Sequence, residues 1–253
     1  MLIEFTVSNF RSFKERQTLT LAASKYFREH GESNCFESGI KGLPKLLRSA
    51  VIYGPNASGK SNLISSLSFV RFMVLSSAKK VQVGDELDVV PFLLDHASKD
   101  KDSEFELIFL EDGVRYQYGF ALNRKRVCRE WLIAYPEGRP QKWFERVCKP
   151  DDGGDTYEFG LKFQGGRLRQ DWKRATRSNA LFHSVAVQFN SEQLKPIFNW
   201  FQKRLRTISS PIFLRPEYTI SICEKENGKK SVIDFLNAAD LSKYNAFEGI
   251  SIN

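Results

Sequence analysis

The octapeptide GPNASGKS, from Gly54 to Ser61, constrains the fold of this chain more than any other stretch. Glycine, glycine-lysine and serine occupy every fixed position of the pattern G-x-x-x-x-G-K-[ST]. The apolar run LLRSAVIY (46–53) precedes it, and apolar residues at helical spacing follow it from Ser61 to Ala78. A strand, a glycine-framed loop and a helix in this order predict a phosphate-binding loop in a domain of mixed α/β class.

The chemistry of phosphate binding explains this spacing. Gly54 and Gly59 permit backbone angles and close approaches that a side chain would prevent. The loop amides can then form a concave anion nest, backed by the positive end of the following helix dipole. We expect Lys60 to be the catalytic residue that reaches the β- and γ-phosphates, and the Ser61 hydroxyl to ligate Mg²⁺. The predicted nucleotide-binding set in this loop is Gly54, Pro55, Asn56, Ala57, Ser58, Gly59, Lys60 and Ser61.

Composition narrows the class of protein. The 253 residues are 42% hydrophobic and 27% charged, as in soluble globular proteins, and no apolar run approaches the length of a membrane span. The alternating start MLIEFTVSNFRSF predicts a strand and not a signal peptide. Four scattered cysteines, without a CxxC pair, predict reduced thiols and a cytoplasmic protein without membrane contact. The net charge of +8 permits nucleic-acid contact but does not decide it.

Strand patterns dominate the first two-thirds of the chain. Residues 2–10 and 16–24 predict two strands, and residues 25–45 predict a loop. Alternating runs on either side of Asp112-Gly113 predict a hairpin over 105–122, since Asp-Gly is a strong hairpin signal. The stretch TYEFGLKF (156–163), followed by two glycines, predicts another hairpin edge.

The last third reads mainly as helix. The pattern predicts a helix from Ala180 to about Leu205, broken or kinked at Pro196, and a short helix from Ser231 to Ser242. Residues 206–222 between them predict extended chain. The expected organisation is a nucleotide-binding core over 1–80, a strand-rich antiparallel part over 81–178 and a helical region over 179–253.

Two stretches together resemble a known group of proteins. IEFTVSNFRSF (3–13) followed by YGPNASGKSNL (53–63) resembles the ATPase heads of RecF, the structural-maintenance-of-chromosomes proteins and the OLD-type nucleases, which are ABC-type ATPases. YQYGFAL, CREWLIAY, NALFHSVAVQFN and VIDFLNAADLS are similar to the stand-alone bacterial "AAA family ATPase" branch. Members of that branch often belong to phage-defence or abortive-infection operons. The resemblance implies the first lobe of an ABC-type head that uses ATP and Mg²⁺.

The resemblance also implies roles for four further residues. Asn9 and Arg11 are expected near the phosphates or the ribose, and Asn62 is expected beside the Mg²⁺-binding serine. Gln188 is the nearest candidate for the glutamine that senses the γ-phosphate and the metal site. The alternatives are a solvated turn arginine for Arg11 and a helix-surface glutamine for Gln188.

Other elements of such an ATPase are not found in the sequence. LIFLED (107–112) has the composition of the strand that ends in catalytic acids, but Gly113 and a second alternating run favour a hairpin turn. No Leu-Ser-x-Gly signature occurs, and His30, His96 and His183 precede the place of a switch histidine. We therefore expect the N-terminal part of a longer ATPase, better at binding ATP than at hydrolysing it. A naturally short paralogue, or one completed by a second polypeptide, is the alternative.

The expected function is an ATPase head whose nucleotide-driven dimerisation controls an effector protein, a nuclease or a toxin, in anti-phage defence. One alternative is a RecF-like repair ATPase that contacts DNA through the basic segment KFQGGRLRQDWKRATR (162–177), in which Trp172 lies among the cations. For that segment, a solvated loop and helix start is the preferred interpretation over DNA contact. A second alternative is a nucleotide-dependent scaffold with little hydrolysis.

Overall fold

The computed structural model describes residues 1–26, 31–40, 42–149, 154–208, 216–225 and 227–238. The chain divides into two units, Met1–Thr207 and Ile208–Asn253. In the first unit the strands are β1 (Leu2–Ser8), β2 (Gln17–Thr20), β3 (Cys35–Phe36), β4 (Leu46–Leu47), β5 (Ser103–Glu111), β6 (Val114–Leu122), β7 (Val127–Tyr135), β8 (Gln141–Cys148) and β9 (Asp155–Phe159). Its helices are α1 (Lys60–Lys80), α2 (His96–Lys99), α3 (Leu168–Ala175), α4 (Phe182–Gln188) and α5 (Lys195–Asn199), which a π-helical turn (Trp200–Arg204) continues.

A large antiparallel sheet is the centre of the first unit. Its strand order is β2-β1-β5-β6-β7-β8-β9, and every neighbouring pair is antiparallel. From β5 to β9 the order follows the chain, as successive hairpins dictate, whereas β1 reaches β5 across a long separation, with Phe5 opposite Leu107. Beside this sheet, β3 and β4 form a two-stranded ladder. The fold is therefore of mixed α/β class with a large antiparallel sheet.

One face of the sheet is apolar and carries the core. Alternate side chains along β5, such as Phe105, Leu107 and Phe109, are fully buried, which is the period of two that a half-buried strand requires. Against this face packs α1, whose buried residues include Val70 and Met73 at helical spacing. Helices α3, α4 and α5 complete the layer, and Trp200 of the π-helical turn stacks on Phe109 with ring centroids 4.1 Å apart.

The hairpin predicted at Asp112-Gly113 is confirmed. Strands β5 and β6 pair from Ser103↔Leu122 to Glu111↔Val114, so Asp112 and Gly113 are the two turn residues. Both have positive φ, 49° and 74°, as a type I′ turn requires. LIFLED is therefore the end of a hairpin strand and its turn.

Polar contacts fix both ends of the helical layer. An Nη atom of Arg177 donates to the carbonyls of Ser77, Ala78 and Val81 at 3.4, 2.9 and 2.7 Å, which satisfies groups that the end of α1 leaves without helical partners. At the start of α4, the carboxylate of Glu130 accepts hydrogen bonds from the backbone amides of Phe182 and His183. These contacts tie α1 and α4 to the sheet and its loops.

The structure corrects two predictions from the sequence and confirms a third in part. The apolar run 46–53 forms a strand only at Leu46–Leu47, and Val51 and Tyr53 are exposed because, among the described residues, no strand pairs with them. The hairpin edge predicted over 156–163 is confirmed as far as Phe159, because β9 pairs with β8 at the edge of the sheet, and the two glycines after it lead into α3. The predicted helix from Ala180 to Leu205 consists of three pieces, and Pro196 lies in the first turn of α5, where a missing N–H is tolerated.

In the second unit the described residues form two helices. Helix α6 (Pro216–Cys223) occupies part of the segment that the sequence predicts as extended, so that prediction is wrong there. Helix α7 (Gly228–Ala238) confirms the last predicted helix as far as residue 238, and its residues 239–242 lie outside the described chain. Among the described helices of both units, none combines the length and apolar character needed to cross a membrane.

Candidate functional site

The predicted phosphate loop leads directly into α1. The helix begins at Lys60, and the preceding Gly59 has φ 93°, a left-handed conformation that favours glycine. The ammonium Nζ of Lys60 donates to the carbonyls of Gly54 and Pro55, both at 2.7 Å, and lies 3.4 Å from Ser58 Oγ. The lysine thus closes the loop on itself at the N-terminal, positive end of a 21-residue helix.

Both glycines of the motif have a serine hydroxyl close to the place where a Cβ atom would lie, and Gly59 also has the left-handed backbone. A Cβ atom on Gly54 would lie 2.6 Å from Ser58 Oγ, and one on Gly59 would lie 3.0 Å from Ser12 Oγ. Side chains at these positions would fill the loop or push it away from the N-terminal turn. Glycine at both positions therefore keeps this region free of further side-chain atoms, as a phosphate cradle needs.

The N-terminal turn from Asn9 to Phe13 lies against this loop. Phe10 and Phe13 exchange backbone hydrogen bonds of 2.9 and 2.8 Å, and Asn9 and Arg11 have φ of 49° and 50°. At the tip of the turn, Ser12 Oγ accepts a hydrogen bond of 2.8 Å from Nδ2 of Asn62. The structure thus brings the two stretches that carry the family resemblance into contact. Ser12 is not among the predicted site residues, although its place within NFRSF is a signal for it.

Asn9 has a different environment from the one expected of a ligand contact. It is buried, and its side-chain amide donates to the carbonyls of Ser98 and Lys101 at 2.9 and 2.8 Å. Its Oδ1 accepts from the amide of Phe92 at 3.0 Å. These bonds occupy both ends of the amide, so Asn9 supports the turn, and a nucleotide contact would require it to give them up.

Arg11 points away from this support. Its backbone amide donates to the carbonyl of Val90 at 2.8 Å, and its exposed guanidinium lies 5.4 Å from the centroid of the Phe10 ring. The side chain is held only by that ring among the described residues, and it stays a candidate for a phosphate or ribose contact.

A cavity of about 450 Å³ adjoins the phosphate loop. Its walls are apolar or uncharged except for Lys60, and no carboxylate of the described residues lines it. The volume is within the range of small-molecule sites. The lining residues are Phe13, Gln17, Thr18, Leu19, Ile52, Tyr53, Gly54, Pro55, Ser58, Gly59, Lys60 and Leu63.

Gln188 lies away from the loop. One turn earlier in α4, Ser184 Oγ donates to the carbonyl of Val74 at 2.7 Å. Val74 is fourteen residues after Lys60, about 21 Å along α1 at 1.5 Å per residue. One turn of helix does not bridge that distance, so the expected contact of Gln188 with the γ-phosphate or metal is not formed in this arrangement.

The basic segment 162–177 offers charge without a stacking platform. Trp172 is 3% exposed and belongs to the core, so bases cannot stack on it. Arg177 binds the end of α1, and the Lys173 ammonium lies 5.4 Å from the Tyr157 ring. Arg167 and Arg174 are exposed on α3 and its start. The arrangement is that of a solvated helix, and DNA contact stays a prediction from analogy.

A buried cluster of titratable groups joins β7 to α4. The Glu130 carboxylate accepts from the amides of Phe182 and His183, at 2.6 and 3.0 Å, and from the Tyr118 hydroxyl at 2.9 Å. Burial raises the pKa of Glu130, and burial and the Glu130 charge raise that of Tyr118. Burial lowers the pKa of His183 to about 4. These groups stabilise the start of α4 and do not line the cavity beside the phosphate loop.

A protein-family model matches the part of the chain that contains the phosphate loop, helix α1 and most of the sheet. The family model described as "AAA domain, putative AbiEii toxin, Type IV TA system" matches residues 49–217, two-thirds of the 253-residue chain. A search of curated proteins found no match. The match starts just before the phosphate loop and includes strands β5 to β9 of the sheet and helix α5, whereas β1 and β2 precede it. The chain therefore belongs to this family of P-loop AAA domains associated with type IV toxin–antitoxin systems.

Proposed function

We propose that the chain binds ATP with Mg²⁺ at the loop Gly54–Ser61 and acts as an ATPase head of a toxin–antitoxin or phage-defence system. The observation that carries the proposal is the Lys60 ammonium held by the carbonyls of Gly54 and Pro55 at the N-terminus of α1. An ammonium group, the backbone amides at the start of a helix and glycines at the two close approaches of the loop suit a polyphosphate.

Named residues of the loop would hold the phosphates and the metal. Lys60 would exchange its carbonyl partners for phosphate oxygens, because a charge-assisted bond to an anion is stronger than one to a neutral carbonyl. The backbone amides at the start of α1 point along the helix axis toward the same anion. The Ser61 hydroxyl would ligate Mg²⁺, which neutralises phosphate charge when bound. Asn62, through Ser12, would keep the N-terminal turn against the loop.

The cavity beside the loop would hold the rest of the nucleotide. Phe13, Leu19 and Tyr53 present apolar and aromatic surface suited to a purine ring. Gln17 and Thr18 offer hydrogen-bonding groups at the same wall. Arg11 lies on the turn that contacts the loop through Ser12, and its exposed guanidinium would join the phosphate or ribose contacts.

Binding is better supported than rapid turnover. Hydrolysis needs a carboxylate that positions the attacking water, and no Asp or Glu of the described residues lines the cavity. We propose that nucleotide-driven closure of two heads controls a partner effector, a nuclease or toxin, and that residues outside the described chain complete the hydrolytic site. This control of a partner extends the toxin–antitoxin association of the family.

The binding proposal is tested with Lys60→Ala and a matched control on the same helix, Lys79→Ala. Titration with a fluorescent ATP analogue and Mg²⁺ should show at least a tenfold loss of affinity for Lys60→Ala, since a bond to a charged group contributes about 1.5–3 kcal/mol. Lys79 is exposed in the last turn of α1, so its variant should bind like the parent protein. Equal affinities for the parent and Lys60→Ala would overturn the proposal.

The closure of two heads is tested separately by the mass of the particle in solution. Light scattering after size exclusion should show a larger particle with ATP and Mg²⁺ than with ADP, and Lys60→Ala should abolish the difference. A particle of the same mass under all conditions contradicts dimerisation and leaves nucleotide binding to be judged by the titration.

A further inference from the structure

Two cysteines oppose each other across β7 and β8. The paired residues of this ladder end at Arg129 and Val147, and extending the same register by one residue puts Cys128 opposite Cys148, the last residue of β8. Opposed residues of antiparallel strands have Cα atoms about 4.5–5.5 Å apart, within the range of about 4.4–6.8 Å that a disulfide spans. Both thiols are free, and they are close enough to interact with each other.

Cys128 lies at a β-bulge, and its thiol forms hydrogen bonds with Asp102 and Asn123. The register between β6 and β7 shifts between Ala121 and Leu122, so Cys128 is the additional residue of β7 at that point. Its Sγ donates to the Asp102 carboxylate at 3.3 Å and accepts from Asn123 Nδ2 at 3.2 Å. Burial and the Asp102 charge raise the pKa of this thiol. Cys128 is therefore a poor first target for an oxidant.

Cys148 is more accessible than its neighbour. It is the last residue of β8 and is half-buried, whereas Cys128 is 9% exposed. An oxidant therefore meets Cys148 first, and the thiol that can resolve the product already faces it. Of the remaining cysteines, Cys35 opposes Leu47 in the β3–β4 ladder, and Cys223 lies in α6.

We propose that Cys128 and Cys148 form a reversible disulfide when the protein meets a peroxide. Hydrogen peroxide oxidises the Cys148 thiol to a sulfenic acid and is itself reduced to water. The Cys128 sulfur then attacks the Cys148 sulfur, and the departing hydroxide takes the Cys128 proton as a second water. Two thiols and one peroxide thus give one disulfide and two waters, and a dithiol reductant reverses the change.

The bond would change the surroundings of Asp102. The thiol proton that now binds the Asp102 carboxylate is lost on oxidation, and the sulfur turns toward β8. Asp102 lies in the segment whose backbone carbonyls hold the Asn9 amide. The modification site is therefore connected by hydrogen bonds to the base of the N-terminal turn.

The test counts free thiols in the folded parent protein before and after peroxide treatment. After unfolding in an alkylating reagent, the count should fall from four to two, and dithiothreitol should restore four. Peptide mapping should find Cys128 joined to Cys148 within one chain. The variant Cys35→Ser/Cys223→Ser should still lose two thiols, and Cys128→Ser/Cys148→Ser should form no intrachain bond.

Three results would overturn the proposal: four free thiols after treatment, a bond that includes Cys35 or Cys223, or a bond between two copies of the chain. Because the parent protein alone decides between these outcomes and the expected one, a variant that fails to fold does not weaken the test. Nucleotide binding plays no part in the readout, so the inference stands or falls separately from the proposed function.

Discussion

The buried imidazole of His183 makes the stability of the fold depend on pH. The ring is fully buried between Tyr118 and Phe198, and its Nε2 lies 3.3 Å from the carbonyl of Leu194. That contact requires a proton on Nε2, and Nδ1 has no hydrogen-bond partner among the described residues. The neutral ring therefore fits the site, and burial lowers the pKa of His183 from 6.5 to about 4.

The size and sign of the effect follow from proton linkage. Between pH 6.5 and about 4 the unfolded chain carries a proton on this imidazole that the folded protein does not. The free energy of unfolding therefore falls as the pH falls, by about 1.4 kcal/mol per pH unit. Across the whole window the loss is roughly 3 kcal/mol, a large part of the stability of an ordinary domain. Above pH 6.5 the term is constant.

The measurement is urea unfolding of the parent protein and His183→Gln at several pH values from 7.5 to 4.5. Glutamine does not titrate, and its side-chain amide can still donate to the Leu194 carbonyl. Glu130, whose pKa is raised by burial, contributes a slope of opposite sign in both proteins, so it cancels in their difference. The parent should lose stability relative to the variant as the pH falls below 6.5. Parallel curves throughout would refute the reasoning.

Two further predictions test the supports of the site. Arg177→Met should lower the free energy of unfolding by about 2 kcal/mol, because three carbonyls at the end of α1 lose their hydrogen-bond donor. The control Arg174→Met should leave it nearly unchanged in the same urea titration, because the Arg174 side chain is 81% exposed. Ser12→Ala should weaken ATP binding about fivefold, because it removes the hydroxyl that accepts the hydrogen bond from Asn62, and Ser12→Thr should bind ATP like the parent protein. Equal affinities for the parent and both variants would show that Ser12 does not position the loop.

Local signals predicted the parts of the fold that local chemistry decides. The Asp112-Gly113 hairpin follows from two residues that tolerate positive φ, and α1 follows from apolar residues at helical spacing after Gly59. The strand predicted over the apolar run before the phosphate loop is longer than the observed one, because strand propensity has an effect only where another strand supplies hydrogen bonds. Val51 to Tyr53 have the composition of a strand but no partner in the described chain.

The buried charges show what a single pattern can and cannot tell. Alternation along β7 places Glu130 on the same face as Leu132 and Ala134, so its burial could have been read from the sequence. Its partners could not, because the amides of Phe182 and His183 and the Tyr118 hydroxyl come from two other elements. The same limit applies to Gln188, whose distance from Lys60 depends on where α4 crosses α1.

The motif SNFRSF is best understood as a support for the phosphate loop. The Asn9 amide binds carbonyls of the α2–β5 segment and the amide of Phe92, and Ser103 Oγ donates to the Asn9 carbonyl. This network holds Asn9 in a left-handed conformation, which would otherwise be costly for a residue with a side chain. The turn that follows presents Ser12 to Asn62 and to the backbone at Gly59. The same short segment therefore ties the end of β1 to the α2–β5 segment and sets the position of the loop, which is a physical reason for the two motifs to occur together in one chain.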